Sequence, residues 1–384
     1  MRDQSLASDE DFLASDNDAA PVGLAYPFAD TPAPGQWREV ADGVWWLRMP
    51  LPFSLDHINL YLIADGDGVA IVDTGLATRQ AKALWRAVLT DFIGARPVTR
   101  IIVTHCHPDH VGLAGWLSEE TGAPLAITRT EYLLARMLSL DVRETPPDEV
   151  LAFYRRAGFS DAQIALQKSR GWGNYARGVH PLPLSIERIA DGDCLPIGGR
   201  DWRVVVGRGH APEHACLHCP ELGLLISGDQ VLPRISSNVS VYPTEPEGNP
   251  LNDWLLSLSR LKKLPAELLV LPAHNEPFHG LHARLDGLIH GHCAKLARLL
   301  RALDRPRPAT ATLNTLFGRG FDDAMLLTMA TGESLAHLRY LEKAGFVARG
   351  EKAGVDLYAR LGDGAVARAD LIAHVAAQQE ERNR

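Results

Sequence analysis

Short apolar runs separated by turn residues dominate the first third of the chain. Residues 37 to 50 read as two strands around Asp42-Gly43, a dipeptide that favours a tight hairpin. A second hairpin follows. Ile58-Asn-Leu-Tyr-Leu-Ile63 and Val69-Ala-Ile-Val72 flank Asp65-Gly-Asp-Gly68, and Asp73-Thr-Gly75 closes the unit. The period then becomes helical. Leu84, Trp85, Val88, Leu89 and Phe92 share one face, which predicts an amphipathic helix over about 77 to 92. The segment 98 to 104, Val-Thr-Arg-Ile-Ile-Val-Thr, is apolar and β-branched after Pro97 and predicts a buried strand. A helix near 111 to 121 and a strand over 124 to 128 come next.

Residues 129 to 183 change character. Helical stretches are broken by Pro146-Pro147, Gly158 and Gly171-Trp-Gly173, the pattern of a helical insertion. Strands resume at 186 to 189, 194 to 197 and 202 to 206. Further apolar runs at 224 to 229 and 268 to 271 flank a helix near 252 to 263. A long helix over 279 to 304 is expected at the surface, with His279, His282, His290 and His292 solvated. After Asp304-Arg-Pro-Arg-Pro308 the composition shifts. A capped helix lies within 332 to 345, with Leu335, Leu338 and Leu341 on one face. Strands at 346 to 347 and 355 to 360 then make a two-stranded wing that ends the unit. Strands interleaved with helices predict an α/β chain in three parts. These are an acidic, Pro- and Gly-rich leader over 1–36, poorly ordered or draped on the surface, a main domain over 37–304, and a small helical unit over 309–384 that resembles a winged-helix-like domain.

Composition narrows the function. The 384 residues are 46% hydrophobic and 22% charged, ordinary values for a globular protein. A formal charge of -8 argues against a nucleic-acid partner. No apolar run reaches the roughly 18 to 20 residues a bilayer span needs. The N-terminus lacks the apolar core of a secretory signal. Five scattered cysteines do not form a disulfide framework. The expectation is a cytoplasmic protein acting on a small molecule.

Candidate chemistry concentrates at Thr104-His-Cys-His-Pro-Asp-His110. Three imidazoles and a carboxylate (His105, His107, His110 and Asp109) crowd the end of a strand. Burying so many polar groups is costly unless something pairs them. Imidazole and carboxylate suit zinc and tolerate iron or manganese. Further donors stand in Gly209-His-Ala-Pro-Glu-His214, in Ser227-Gly-Asp229 and in Pro272-Ala-His274. Alternation along an extended segment points Cys106 away from its neighbours, into packing. Cys216-Leu-His-Cys219 has no second pair and reads as structural. His57 reads as a satisfied strand-end histidine. His214, Arg234, Ser236 and Asn238 are candidates for substrate contact. Tyr132, Phe153, Tyr154, Trp172 and Tyr175 in the insertion could line an apolar acyl pocket or simply pack it onto the sheet.

These motifs, in this order, resemble the metallo-β-lactamase superfamily over about residues 40 to 290. The resemblance implies an αββα sandwich with the site at one edge. It implies one metal on His105, His107 and His210, a second on Asp109, His110 and His274, and Asp229 bridging both. Asp73 in Val-Asp-Thr-Gly would orient a ligand imidazole. The implied cofactor is a zinc pair. A metal-bound hydroxide, assisted by Asp109, would attack a thioester, ester or lactone carbonyl. The ligand set is similar to that of glyoxalase II-type thioesterases. β-Lactam substrates fit poorly, because β-lactamases of this superfamily commonly carry a cysteine where Asp229 stands. Three alternatives remain open: an RNA endonuclease or phosphodiesterase, an iron-dependent persulfide dioxygenase, and a non-enzymatic metal-stabilised binding module. Arg339, Lys343, Arg349 and Lys352 in the tail could touch phosphate. Glu333, Glu342, Glu351 and Asp356 dilute that charge, so packing or homodimerisation is the expected use of the tail.

Overall fold

Two β-sheets face one another across an apolar layer in this computed structural model, which describes residues 23–53, 55–362 and 368–382. The first sheet has seven strands in chain order. They are β1 (Trp37–Ala41), β2 (Val44–Pro50), β3 (His57–Asp65), β4 (Gly68–Val72), β5 (Val98–Ile102), β6 (Leu125–Thr128) and β7 (Glu187–Ile189). The expected hairpins are present, closing at Ala41 opposite Val44 and at Asp65 opposite Gly68. From β4 onward the pairing is parallel. The second sheet holds β8 (Cys194–Ile197), β9 (Arg200–Gly207), β10 (His214–Cys219), β11 (Leu224–Gly228) and β12 (Leu269–Pro272), in spatial order β12-β11-β10-β9-β8. Only β11 and β12 run parallel there.

Side-chain alternation along the strands sorts residues into layers. On β3, Tyr61 and Ile63 turn inward to meet Trp202, Val204, Leu217 and Ile226 of the second sheet. Ile58, Leu60 and Leu62 turn outward, onto helices α1 (Arg79–Ala87) and α2 (Ala114–Thr121) through Trp85 and Leu117. Cys216 and Leu225 leave the second sheet on its outer face and join a third core built with helices. The layers therefore run helix, sheet, sheet, helix. The apolar stripe expected over 77 to 92 is carried by α1 and then by a single π-helical turn, Val88–Ile93, closed by Gly94 at φ 61°.

Residues 129 to 183 hold three helices, α3 (Arg129–Leu140), α4 (Asp148–Ala157) and α5 (Asp161–Ser169), and a 3-10 turn at Asn174–Arg177. A reciprocal cap between Ser160 and Gln163 starts α5. This segment reaches the C-terminal part of the chain. Arg156 pairs with Asp356 at 2.8 Å, and the Thr310 hydroxyl donates to the Gly158 carbonyl.

The helices α6 (Pro250–Leu261), α7 (Leu281–Ala302) and α8 (Ala324–Lys343) complete the outer layer, followed by the hairpin β13 (Val347–Lys352) and β14 (Val355–Arg360) and a last helix, α9 (Arg368–Arg382). Three expectations are corrected here. First, α7 is not a solvated helix. Leu285, Cys293, Leu296 and Leu299 are in the core, and His292 is buried against His337. C-terminal helices cover the face that the sequence left polar. Second, α8 begins at Ala324, where the Asp323 carboxylate accepts the amides of Met325 and Leu326. Gly332 therefore lies inside the helix, where its missing side chain lets Ser240 approach. Third, the chain continues beyond the β13–β14 hairpin into α9. Of the leader, Ala25 pairs with His279 through two backbone hydrogen bonds, and residues 1–22 lie outside the described residues. No helix among the described residues is long and apolar enough to cross a membrane.

A Cβ at position 332 would sit 2.8 Å from Ser240 Oγ, while Val241 donates its amide to the Gly332 carbonyl. Gly332→Val should cost about 1–3 kcal/mol by overpacking, despite valine's better helix propensity. Urea unfolding checks this, and an unchanged midpoint would contradict the docking of α8 on that loop.

Candidate metal centre

Each donor sits just beyond the end of a strand at one rim of the sandwich. Asp73 follows β4, the 105–110 loop follows β5, and His210 precedes β10. Asp229 follows β11, and His274 follows β12. Parallel pairing of β4 with β5 and of β11 with β12 brings these ends level. The result is two adjoining groups. His105, His107, His210 and Asp229 form one, and Asp109, His110 and His274 form the other, with ligand atoms inside each group no more than 4.8 Å apart.

Asp229 lies between the groups. Its Oδ2 is 3.3 Å from His210 Nε2 and 3.9 Å from His105 Nε2. Its Oδ1 is 3.5 Å from His110 Nε2 and 3.4 Å from His274 Nε2. Asp109 Oδ2 closes the second group, 3.4 Å from His274 Nε2 and 3.7 Å from His110 Nε2.

The hydrogen bonds behind these rings decide what the front atoms can do. His210 Nδ1 donates to the Asn238 carbonyl at 2.7 Å, and His274 Nδ1 to the His57 carbonyl at 2.9 Å. His110 Nδ1 donates to Asp73 Oδ2 at 2.8 Å. The Thr104 hydroxyl donates to the same oxygen and accepts from His105 Nδ1 at 3.1 Å. With each Nδ1 directed backward, each Nε2 faces the other donors and presents a lone pair where the ring is neutral. The His105 and His210 Nε2 atoms face each other at 3.3 Å, an arrangement two lone pairs do not favour. His110 Nε2 and Asp229 Oδ1 are buried and make no hydrogen bond. Such orphaned atoms are rare and costly in a folded chain. Cations between them remove the cost, so the donor set fits metal.

Burial pushes the His105 pKa well below its ordinary value, and that of His107 down to about 3, with neighbouring imidazoles adding to the effect. Both rings are neutral and ready to ligate. At His110 burial opposes the charge, but the Asp229, Asp109 and Asp73 carboxylates outweigh it and raise the pKa. Burial also opposes ionisation of Asp229, yet His110 and His274 hold it well below the usual carboxylate range.

A family model described as "Metallo-beta-lactamase superfamily" matches residues 54–274, and one described as "Metallo-beta-lactamase-like, C-terminal domain" matches residues 296–361. A solved beta-lactamase domain protein from Burkholderia ambifaria is 42% identical, covers 88% of this chain and 98% of its own, and superposes with a TM-score of 0.82. The chain belongs to the metallo-β-lactamase superfamily. Among curated superfamily relatives, the probable metallo-hydrolase YqjP of Bacillus subtilis (strain 168) is 25% identical over 301 residues, 77% of this chain and 91% of that protein. The acyl-coenzyme A thioesterase MBLAC2 of Gallus gallus is 26% identical over 248 residues, 63% of this chain and 80% of that protein.

Around the superfamily site, the loop residues singled out from the sequence take separate positions. His214 is buried, and its Nε2 accepts the Asp229 amide at 3.1 Å. A Cβ on Gly228 would come within 2.5 Å of that nitrogen, which explains the glycine before Asp229. The Asn238 side chain donates to Glu333 Oε2 at 3.2 Å. Ser236 Oγ lies 3.4 Å from His292 Nε2. Arg234 pairs with Glu276 at 2.9 Å and stacks on Tyr26. His57 bonds Asp56, and its Nε2 accepts the Asn275 amide. Cys106 is buried in the core, as its alternation implied. Sequence reasoning passed over Glu131. This fully buried carboxylate accepts the amides of Cys106 at 2.9 Å and Glu213 at 2.6 Å, tying two ligand loops together. Its one signal was an acidic residue directly beyond β6, on the same rim.

Asp73 adopts φ 59°, a conformation uncommon for a residue with a side chain, and its carboxylate accepts from Thr104 N, Thr104 Oγ1 and His110 Nδ1. Asp73→Asn keeps the shape but loses an acceptor. Metal affinity should fall about 10- to 100-fold in competition with a chromogenic chelator. Unchanged affinity would show that Asp73 does not orient the ligand.

Proposed function

We propose that the chain is a dinuclear-zinc hydrolase that cleaves the carbonyl bond of a small thioester, ester or lactone. The observation that carries this reading is the division of one carboxylate, Asp229, between two groups of donors. Seven nitrogen and oxygen donors without a thiolate suit zinc. His105, His107 and His210 would hold one cation, and Asp109, His110 and His274 the other, with Asp229 reaching both. Bound zinc supplies Lewis acidity and lowers the pKa of coordinated water.

The chain's own residues handle orientation and protons. Neutral imidazoles leave the cation charge undiminished. The Asp109 side chain is 18% exposed against 10% for Asp229, so it is the carboxylate more open to an incoming molecule. Burial opposes its ionisation, but His110 and His274 keep its pKa below the ordinary value. An anionic Asp109 orients the attacking water and accepts its proton. Residues 37–304 carry the chemistry in this reading, and residues 309–384 buttress it.

The thioesterase named among the relatives supports the substrate class. The tail gives less support to RNA cleavage. Arg339 is buried and bonded to Glu247 and Glu342, and Arg349 pairs with the same two acids, so neither guanidinium stands free for phosphate.

Zinc-reconstituted protein should hydrolyse members of an acyl-thioester, ester and lactone panel, and chelation should abolish this. Asp109→Ala should lower kcat/KM at least about 100-fold, the scale of a lost acid–base group. Labelled single-stranded RNA should survive at low salt. The proposal would be falsified if metal-replete protein turned over no member of the panel. Bound iron with oxygen uptake on a persulfide would move the assignment to the oxygenase.

A further inference from the structure

A cavity of about 250 Å³ lies between residues 129–183 and the start of α8. Leu138, Val150, Trp172 and Met325 give it a largely apolar lining, and Tyr175 forms part of its wall. Two contacts fix that wall. Trp172 Nε1 donates to Asp141 Oδ2 at 2.7 Å. The Tyr175 hydroxyl donates to the carbonyl of Cys106, the residue between the ligands His105 and His107. Tyr175 therefore joins the cavity wall to the loop that carries the first donor group.

One polar feature of the lining stands out. Asp141 is already engaged by Arg143 and Trp172. Arg170 also lines the cavity, and among the described residues its guanidinium has neither a hydrogen bond nor an ion pair. An apolar chamber with one uncommitted guanidinium matches a ligand with a carbon body and an anionic end.

Resting on the hydrolase reading, we infer that this cavity takes the acyl group of the substrate and that Arg170 selects acyl groups ending in a carboxylate. At about 30 Å³ per water-sized group, the volume holds on the order of eight such groups, the size of a medium-length chain. Leu138, Val150 and Met325 bury the methylenes. Arg170 meets the terminal carboxylate, and the carbonyl end points back past Tyr175 toward the 105–110 loop. A plain acyl chain of equal length gains nothing from the guanidinium and binds less well. A short acyl group leaves the chamber wet.

Calorimetry on the zinc-loaded protein with suberate and octanoate tests the site, since the carboxylate that both acids offer the cations cancels in the comparison. Suberate should bind at least about 10-fold more tightly, and Arg170→Gln should remove the difference. Val150→Trp and Met325→Trp fill the chamber from two separate helices and should each weaken suberate binding about 10-fold or more. Circular dichroism melts identify a variant that has not folded, and the variant on the other helix then decides. In the zinc-loaded enzyme, the ratio of kcat/KM for an ω-carboxyheptanoyl thioester to that for an octanoyl thioester should exceed about 10 and fall toward unity in Arg170→Gln. Equal binding of the two acids, or suberate binding indifferent to all three substitutions, overturns the inference. Thioester turnover with no such acyl preference overturns this pocket and leaves the hydrolase reading standing. Suberate binding with no turnover of any thioester does the reverse.

Discussion

The Asp229 carboxylate is the constraint on which the rest of this structure turns. It is buried at the rim of the sandwich, one oxygen toward His105 and His210 and the other toward His110 and His274. Four imidazole lone pairs and a carboxylate removed from water are tolerable only if something of opposite charge joins them. The surrounding hydrogen bonds commit each Nδ1 proton backward and turn each Nε2 toward the shared centre. The chain thus orients its donor atoms in advance, in an arrangement that suits cations.

Holding five strand ends level is the work of the sheets, but the loops need their own supports. Asp73 gathers Thr104 and His110, Glu131 gathers the Cys106 and Glu213 amides, and His214 takes the Asp229 amide. The C-terminal unit reaches the same rim. Asn238, whose carbonyl receives His210, gives its side chain to Glu333 of α8, and Glu333 is paired with Lys295 of α7 at 3.2 Å. Arg284 of α7 donates to the carbonyls of Leu232 and Ile235 in the same loop. A buried ion pair is weak evidence for stability, but removing one partner is costly. These contacts couple the tail to the metal centre through the 232–240 loop.

Much of the centre was legible in the sequence, because metal ligation demands particular residue types at strand ends. The 105–110 cluster, His210, Asp229 and His274 carried that signal, and the structure brings all of them together. The hairpins at Asp42-Gly43 and 65–68 were legible for a similarly local reason. What escaped was decided by distant partners. His292 looked solvated because its cover comes from residues more than forty positions away, among them His337. Gly332 looked like a helix start because nothing local reveals Ser240 pressing on it. Glu131 drew no notice, because only folding sets the two loops it holds beside it.

Anomalous diffraction at the zinc edge from zinc-reconstituted crystals tests the central claim most directly. Two separate peaks, one beside each oxygen of Asp229, are the predicted result. One peak alone, or density that leaves His110 Nε2 and Asp229 Oδ1 without a shared ion, would contradict it.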